Sequence, residues 1–508
     1  PFPTAQKERR AATARVCNTV AGVALPAADP PHLRAVRPPA RPIRHGSFTL
    51  HGGTSPVPVA SPCVASPPAC TPAIAMACPI KVVASIFLLC FLLNGEKACG
   101  ATATVTSADA MERWGYIQVR PKAHLFWWFY KSPQRVSSPA KPWPTVLWLQ
   151  GGPGGSGVGG GNFMGIGPLD ANLKPRNSTW LQKADLIFVD LPVGVGYSYA
   201  EDPSLLARTD SEVVADATEL LKVLTIEIPT LQTSPLYLVG ESYGGKLASM
   251  IGVSMARAIH AGTLKLSLGG VVLGDSWISP GDFALSYAQV LHGVSRLDGN
   301  IITPANKIAA TVNEEIAAGQ FAKAYTTWVK LVDLIDSKSS SVNWENILLD
   351  ATITTQSGRK TIGDIMNGVI RKKLKIIPKD VVWQAASLPV NNALDNVFMK
   401  PAINEVEELL EYGVDVTIYN GQLDLICSTM GVEAWVNKLK WDGLKNFLSL
   451  PRQEMLVCDS AMHCSPSING FHKSYKNLHF YWILGSGHRV PVDQPDTALM
   501  MIGQITHS

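Results

Sequence analysis

The sequence predicts an α/β fold: a mostly parallel central sheet flanked by helices, with a helical cap inserted between two core strands. Three observations carry that reading. Apolar runs of strand length alternate with helical patterns, as they do where a parallel sheet is covered on both faces. A buried strand at Leu236 to Val239 enters a tight turn, Gly240-Glu241-Ser242-Tyr243-Gly244, and leaves as a small-residue helix. The stretch from about Pro280 to Ile403 interrupts the alternation, with helix-like periodicity at Ile308 to Ile316 and Trp328 to Ile335.

The first 75 residues differ in kind from the rest. They hold 14 of the chain's 36 prolines and eight Lys/Arg against two acidic residues, Glu8 and Asp29. Removing those from the chain's 44 basic and 40 acidic groups leaves 36 and 38, so the formal +4 becomes −2 and the composition gives no argument for nucleic-acid binding. Residues 1–75 read as a disordered leader or as sequence that is not translated. Residues 76–100 read as a secretory signal peptide: Lys81, the apolar run Val82 to Leu93, then small residues suited to cleavage near Ala98 to Ala101. Twelve apolar residues fall short of a membrane span, so no stable membrane anchor is expected. Core is then expected over residues 101–280 and 404–508, with the cap over 281–403.

In the body, strands are expected at Gly115 to Val119, Ala123 to Tyr130, Thr145 to Leu149 and Ala184 to Asp190, separated by proline-rich turns. Thr209 and Glu212 form a capping box that opens a helix with the apolar face Val213, Val214, Ala217, Leu220, Leu221 and Leu224. That helix leads to the Ser242 turn. Beyond it come a helix to about Ala261, a buried strand at Gly270 to Gly274, and late strands at Val414 to Tyr419 and Leu478 to Leu484.

The Ser242 turn has the G-x-S-x-G form of a nucleophile elbow, in which a strained strand-to-helix turn lifts a serine hydroxyl out of the sheet. At Gly240 and Gly244 a side chain is expected to collide with neighbouring backbone. A serine nucleophile needs a base, and the base an orienting acid, each in a loop after a later strand with the acid first. Asp424 follows one late strand in Tyr-Asn-Gly-Gln-Leu-Asp, and His488 follows the next in Gly-Ser-Gly-His-Arg. Taken singly, a loop Asp is usually a turn residue and a loop His a solvated one; the order Ser242, Asp424, His488 behind the right strands is what selects them.

The third motif, Leu149-Gln-Gly-Gly-Pro-Gly-Gly-Ser-Gly157, directly follows a strand. Gly152 to Gly157 formally matches a dinucleotide fingerprint. However, Pro153 interrupts it, no clear helix is expected after it, and no acidic ribose partner ends a second strand. It lacks the Lys-Ser/Thr of a phosphate loop. It suits an oxyanion hole instead, with backbone N–H groups of Gly152 and Tyr243 as donors. Neither a cofactor nor a metal is implied: Cys458, His463, Cys464 and His472 fit no familiar zinc spacing. Six of nine cysteines lie at or before Cys99, which leaves Cys427 free and a Cys458–Cys464 disulfide on an oxidising route. Asn177-Ser-Thr is a glycosylation sequon, expected on a surface loop.

Together, QGGPGGSG, DLPVGVGYSY, GESYGG, YNGQLDLI and GHRVPVDQP resemble the successive signatures of the serine carboxypeptidase family, over about Trp114 to Gln504. Gln150 and Gly155 place the likeness nearest its retinoid-inducible and plant carboxypeptidase-like branch. The resemblance implies an α/β-hydrolase fold and removal of C-terminal amino acids from peptides at acidic pH, outside the cell or in a vacuole or lysosome. It implies Ser242, Asp424 and His488 as the triad, and Glu241, Gln150 and the Gly151 backbone as the binders of the substrate's terminal carboxylate. Three departures stand out. Gly165 occupies the place of a glutamate that the family pairs with Glu241, which implies that Glu241 ionises more readily here. Arg489 replaces an apolar residue after the histidine. Residues from Met462 to Phe471 look unlike the family. Two other readings remain open, an acyltransferase of the plant carboxypeptidase-like type and an inactive binding or protective homologue. Oligomeric state is not legible.

Overall fold

The structure, a computed structural model, describes residues 111–508 apart from 139, 352–360, 461–462 and 465–466. The expected leader and signal segment lie outside the described residues.

The body is organised on an 11-stranded sheet. In chain order the strands are β1 (Glu112–Arg120), β2 (Ala123–Tyr130), β3 (Thr145–Leu149), β4 (Asp185–Val189), β5 (Tyr199–Ala200), β6 (Pro235–Glu241), β7 (Ser267–Gly274), β8 (Val416–Gly421), β9 (Gln453–Met455), β10 (Cys458–Ser460), β11 (His463–Cys464), β12 (Gly470–Tyr475) and β13 (Leu478–Ile483). Their spatial order is β1-β2-β4-β3-β6-β7-β8-β13-β12-β9, with β5 on β2 and β10–β11 as a separate ribbon. From β4 to β13 every neighbouring pair is parallel. Only the two margins are antiparallel. This is the mostly parallel sheet of an α/β-hydrolase fold, flanked by helices.

The strand order decides where a ligand can sit. After β3 the chain adds β4 on one side, then crosses back to add β6 on the other. In open α/β sheets, ligands bind beyond the carboxyl ends of the strands at such a reversal. There β3 and β6 run in register, with Leu149 opposite Gly240.

Strand side chains alternate between two cores, as a period of two requires. In β2, Leu125, Trp127 and Phe129 enter one core while Phe126, Trp128 and Tyr130 enter the other. The first core is roofed by the helix Asp210–Glu227, opened by the Thr209–Glu212 capping box, and by the elbow helix Tyr243–His260. On the other face lie the helices Gly157–Ile166 and Pro495–Ile505. Between β7 and β8 the helices Pro280–Gly293, Ile302–Ala317 and Phe321–Lys338 pack on the first core through Trp328, Leu331 and Ile335, and the segment continues to the helix Ile403–Glu411.

Several elements depart from the sequence reading. A helix of π type does follow the glycine loop, over Gly157–Ile166, although Gly-Val-Gly-Gly-Gly has little intrinsic helical tendency. Tertiary contact forms it: a Cβ at Gly159 would lie 2.2 Å from the Trp383 ring, and one at Gly161 would lie 2.2 Å from Trp148. Strands β9 and β12 were not expected: β9 is the sheet's edge, β12 lies between it and β13, and the polar, half-exposed residues of both carry no buried run.

Candidate active site

The elbow is built by backbone. Ser242 directly follows β6 at φ 62 and ψ −127, a positive φ that a serine adopts only under constraint. Its amide donates to the Gly274 carbonyl at 3.0 Å, and its carbonyl accepts from Gly245 and Trp277. The glycines have the expected reason. A Cβ at Gly240 would stand 2.2 Å from the Gly244 carbonyl oxygen, and one at Gly244 would stand 2.1 Å from that of Leu149. Both obstacles are main chain, which cannot swing away.

The glycine loop meets the elbow at Gly151, where a Cβ would be 2.5 Å from Ser242 Cβ and 3.0 Å from the Tyr243 nitrogen. Gly152 follows at φ 128, in the region that favours glycine. Neither the Gly152 nor the Tyr243 amide is taken by another backbone carbonyl in the surrounding loops and turns. The Tyr243 side chain is fixed: its hydroxyl donates to Asp210 Oδ1 at 2.5 Å, and its ring stacks on Phe398.

His488 and Asp424 are fully buried, and His488 Nδ1 lies 2.8 Å from Asp424 Oδ2. With the Nδ1 proton donated to Asp424, Nε2 presents a lone pair, and that atom is buried without a partner. Burial works against a charged imidazole, but the Asp424 carboxylate outweighs it and raises the ring's basicity. Glu241, beside the serine, is near enough to His488 for their titrations to be linked.

Two carboxyls whose roles the sequence did not reveal hold this arrangement. Asp275, at the end of β7, accepts from the Gly421 amide at 2.7 Å and so anchors the loop that carries Asp424. Burial first, then Asp424, push its carboxyl well up. Asp190, after β4, accepts from Ser156 Oγ (2.5 Å) and the amides of Val158 (3.0 Å) and Tyr197 (2.8 Å), and so ties the glycine helix to the next loop. Each follows a strand that the sequence had shown; Asp190 opens the DLPVGVGYSY signature without a role read from it, and Asp275 sits in no motif.

Gln150 Nε2 donates to Glu241 Oε1 at 2.7 Å, and Gln150 Oε1 accepts from Trp148 Nε1 at 3.0 Å, so the amide orientation is set. Burial raises the Glu241 carboxyl above its ordinary range against the opposing pull of Arg489 and His488. At Gly165 a Cβ would meet only the Gly160 carbonyl oxygen, at 3.2 Å.

The remaining expectations fall elsewhere. Asn177 is exposed in a turn. Cys458 and Cys464 are backbone partners across the β10–β11 ribbon, and Cys427 is free and buried. Among the described residues, the one group of three His, Cys, Asp or Glu whose ligand atoms approach within 4.8 Å is Asp424, Cys427 and His488, the acid–imidazole pair with a thiol beside it. No helix of the described residues is long and apolar enough to cross a membrane.

Comparison with known proteins fits this geometry. The profile of the serine carboxypeptidase family matches residues 103–508. The chain is similar to serine carboxypeptidase-like 51 of Arabidopsis thaliana, 50% identical over 459 residues, spanning 84% of this chain and 98% of the relative. It is also similar to the retinoid-inducible serine carboxypeptidase of Homo sapiens, 44% identical and spanning 82% of this chain and 96% of the relative. Among solved structures, the prohormone-processing carboxypeptidase Kex1(delta)p of Saccharomyces cerevisiae superimposes with a TM-score of 0.69 at 22% identity, over 78% of this chain and 91% of that one, a likeness of fold.

Proposed function

The chain belongs to the serine carboxypeptidase family, and from that premise we propose that Ser242, His488 and Asp424 release C-terminal amino acids from peptides through an acyl-enzyme, at acidic pH and in the secretory pathway or a compartment it feeds. The observation that carries the assignment is the unpartnered, buried Nε2 of an imidazole held at 2.8 Å by Asp424, in a chain whose Ser242 stands on a strained strand-to-helix turn.

Each step has a group to perform it. Ser242 Oγ attacks the carbonyl carbon of the last peptide bond as its proton passes to His488 Nε2. The amides of Gly152 and Tyr243 receive the developing oxyanion, each donor being worth about 3 kcal/mol in the transition state. His488 returns the proton to the departing amine, and a water, deprotonated by the same nitrogen, hydrolyses the ester. Asp424 keeps the proton on Nδ1 throughout.

Glu241 reads the free carboxylate. An ionised glutamate would repel it in a dry pocket, so Glu241 must be protonated and donate, and Gln150 fixes its orientation. Burial of Glu241 supports that protonated form and hence acidic working conditions. At such pH a neutral Glu241 also withdraws one of the fields that raise the His488 ring, which favours the unprotonated Nε2 that the first step needs. The exposed Asn177 is proposed as the glycan site, and the Cys458–Cys464 backbone pairing supports the proposed disulfide.

The test is labelling with a fluorophosphonate, mapping of the modified residue, and assay of peptides with free C-termini alongside glucose esters with an alcohol acceptor. Label on Ser242 with release of the terminal amino acid is expected. Acyl transfer to the alcohol without peptide hydrolysis would replace the hydrolase reading with the acyltransferase one. No label would leave the binding homologue.

A further inference from the structure

The Glu241 carboxyl has a neighbour from the inserted segment. Residues 343–346 form a turn in which Asn343 Oδ1 accepts from the amides of Glu345 (2.8 Å) and Asn346 (3.1 Å). This turn lies against the β8 and β13 loops: Leu425 and Ile426 donate to the Trp344 carbonyl, and the His488 amide donates to the Glu345 carbonyl at 2.7 Å. The approach is so close that a Cβ at Gly487 would stand 2.0 Å from the Glu345 carbonyl oxygen. Glu345 is therefore held against the segment that carries His488 and Arg489.

Its side chain turns inward. Glu345 Oε1 is buried with no hydrogen-bond partner, and the charged or titratable groups whose fields reach it are Arg489, His488, Glu241 and Asp424. Arg489 is only 9% exposed. It acts on Glu241, Glu345, Asp493 and Arg176, yet among the described residues it forms no ion pair within 4.0 Å. A buried carboxyl oxygen with no partner is unfavourable unless something completes it, and a largely buried cation with no ion pair is a charge left uncompensated. The field of Arg489 reaches Glu241, the group already proposed to read a carboxylate, and Glu241 in turn acts on Glu345. Residue 165, where an acidic partner would otherwise stand, is glycine.

Resting on the reading of Glu241 above, we propose that Arg489 and Glu345 complete this chain's pocket for the peptide's terminal carboxylate. Arg489 is the cation that selects a free carboxylate, and Glu345 is the second carboxyl, supplied by the inserted segment in place of residue 165. The charge balance explains the pairing. With both glutamates protonated, these three groups carry the single positive charge of Arg489, set beside the Asp424–His488 pair, and attract a carboxylate. Ionising one glutamate cancels that charge, and ionising both makes the pocket repel its ligand. Burial, against the pull of Arg489 and His488, lifts Glu345 to about 7, so the attractive state persists through the acidic range and weakens toward neutrality.

The experiment compares two peptides that differ only in a free or amidated C-terminus, across acidic to mildly alkaline pH, with wild type, Arg489→Met, Arg489→Gln and Glu345→Gln. Fluorophosphonate labelling of Ser242 verifies that each variant retains a folded site. In wild type, KM for the free peptide should climb as pH passes about 7, with kcat changing less. Loss of a charge-assisted contact should lower the free-over-amidated ratio of kcat/KM by about tenfold or more in Arg489→Met, chiefly through KM. Glu345→Gln should shift the climb in KM to higher pH. If Arg489→Met does not label, Arg489→Gln decides in its place. An unchanged ratio in the labelled Arg489 variant, or a KM profile in Glu345→Gln that superimposes on wild type, overturns the inference. Failure of wild type to cleave either peptide would instead count against the peptidase reading itself.

Discussion

The elbow around Ser242 and the pocket around Glu241 share one crevice but are built in opposite ways. Around the serine the determinants are main chain: a positive φ at residue 242, and glycines at 151, 240 and 244 whose missing Cβ atoms would strike backbone or the serine itself. Around Glu241 the determinants are side chains from separate stretches, Gln150 after β3, Glu345 in the inserted segment and Arg489 after β13. A backbone-built feature needs particular residues at fixed, short spacing. A side-chain-built one needs only that distant segments meet. The first kind resists substitution, and the second is free to change its reading of substrate.

The contrast is tested most severely at the elbow. Replacing Ser242 or His488 with alanine should lower kcat by about 10⁶, the scale seen when a triad loses nucleophile or base. Asp424→Asn should cost about 10⁴, since the imidazole would lose the partner that fixes its tautomer. Next comes a residue with no side chain at all. Gly151→Ala would place a methyl 2.5 Å from Ser242 Cβ, displace the glycine loop, and lower kcat by about 10² to 10³, as when one oxyanion donor is lost. Single-turnover kinetics on one peptide measure all of these. A Gly151→Ala enzyme of near-normal kcat would break the comparison, because the backbone would then be as forgiving as the pocket.

The same contrast explains what could be read in advance. The strands at Ala123–Tyr130 and Thr145–Leu149 were legible to the residue, because both are continuous apolar runs between turn signals and are buried on both faces. Ser242, Asp424 and His488 were selected by chain order after three strands, and the structure brings the acid and the imidazole together as that order requires. The glycine helix was not legible, because its cause is the indole rings of Trp148 and Trp383 rather than its own propensity. Nor was Glu345: nothing in Asn343-Trp344-Glu345-Asn346 marks it, and only the hydrogen bond from the His488 amide shows where it goes.

A smaller effect sharpens the pocket side. On sequence alone, Gly165→Glu should restore a missing carboxyl and extend peptidase activity toward neutral pH. With Glu345 already facing Glu241, the KM profiles of wild type and Gly165→Glu should instead agree within about twofold, while the new side chain, whose Cβ would lie 3.2 Å from the Gly160 carbonyl, lowers Tm. A clear extension toward neutral pH would mean that residue 165 governs Glu241 after all.

The smallest expected effect is on stability, and it follows from the same buried carboxyls. Burial is the leading cause that raises Asp185 to about 6, Asp190 to about 6 and Glu345 to about 7, and it moves Glu241 and Asp275 upward too. In the unfolded chain these groups titrate near about 4. Between the two values the folded protein holds protons that the unfolded chain has released, so unfolding becomes easier as pH rises. This contribution is fully present below the unfolded values and is lost as pH passes through about 6 to 7. Thermal unfolding followed by circular dichroism should therefore give a Tm that is highest in mild acid and falls by a few degrees toward neutral pH. Glu345→Gln removes the highest-titrating of the carboxyls with a stated value, so its Tm should fall less between about pH 6 and pH 8 than that of wild type. A wild-type Tm that rises over that interval would show that ion pairs such as Arg135–Asp185, strongest when both partners are charged, outweigh the buried protons, and the pocket would then owe its acid preference to binding alone.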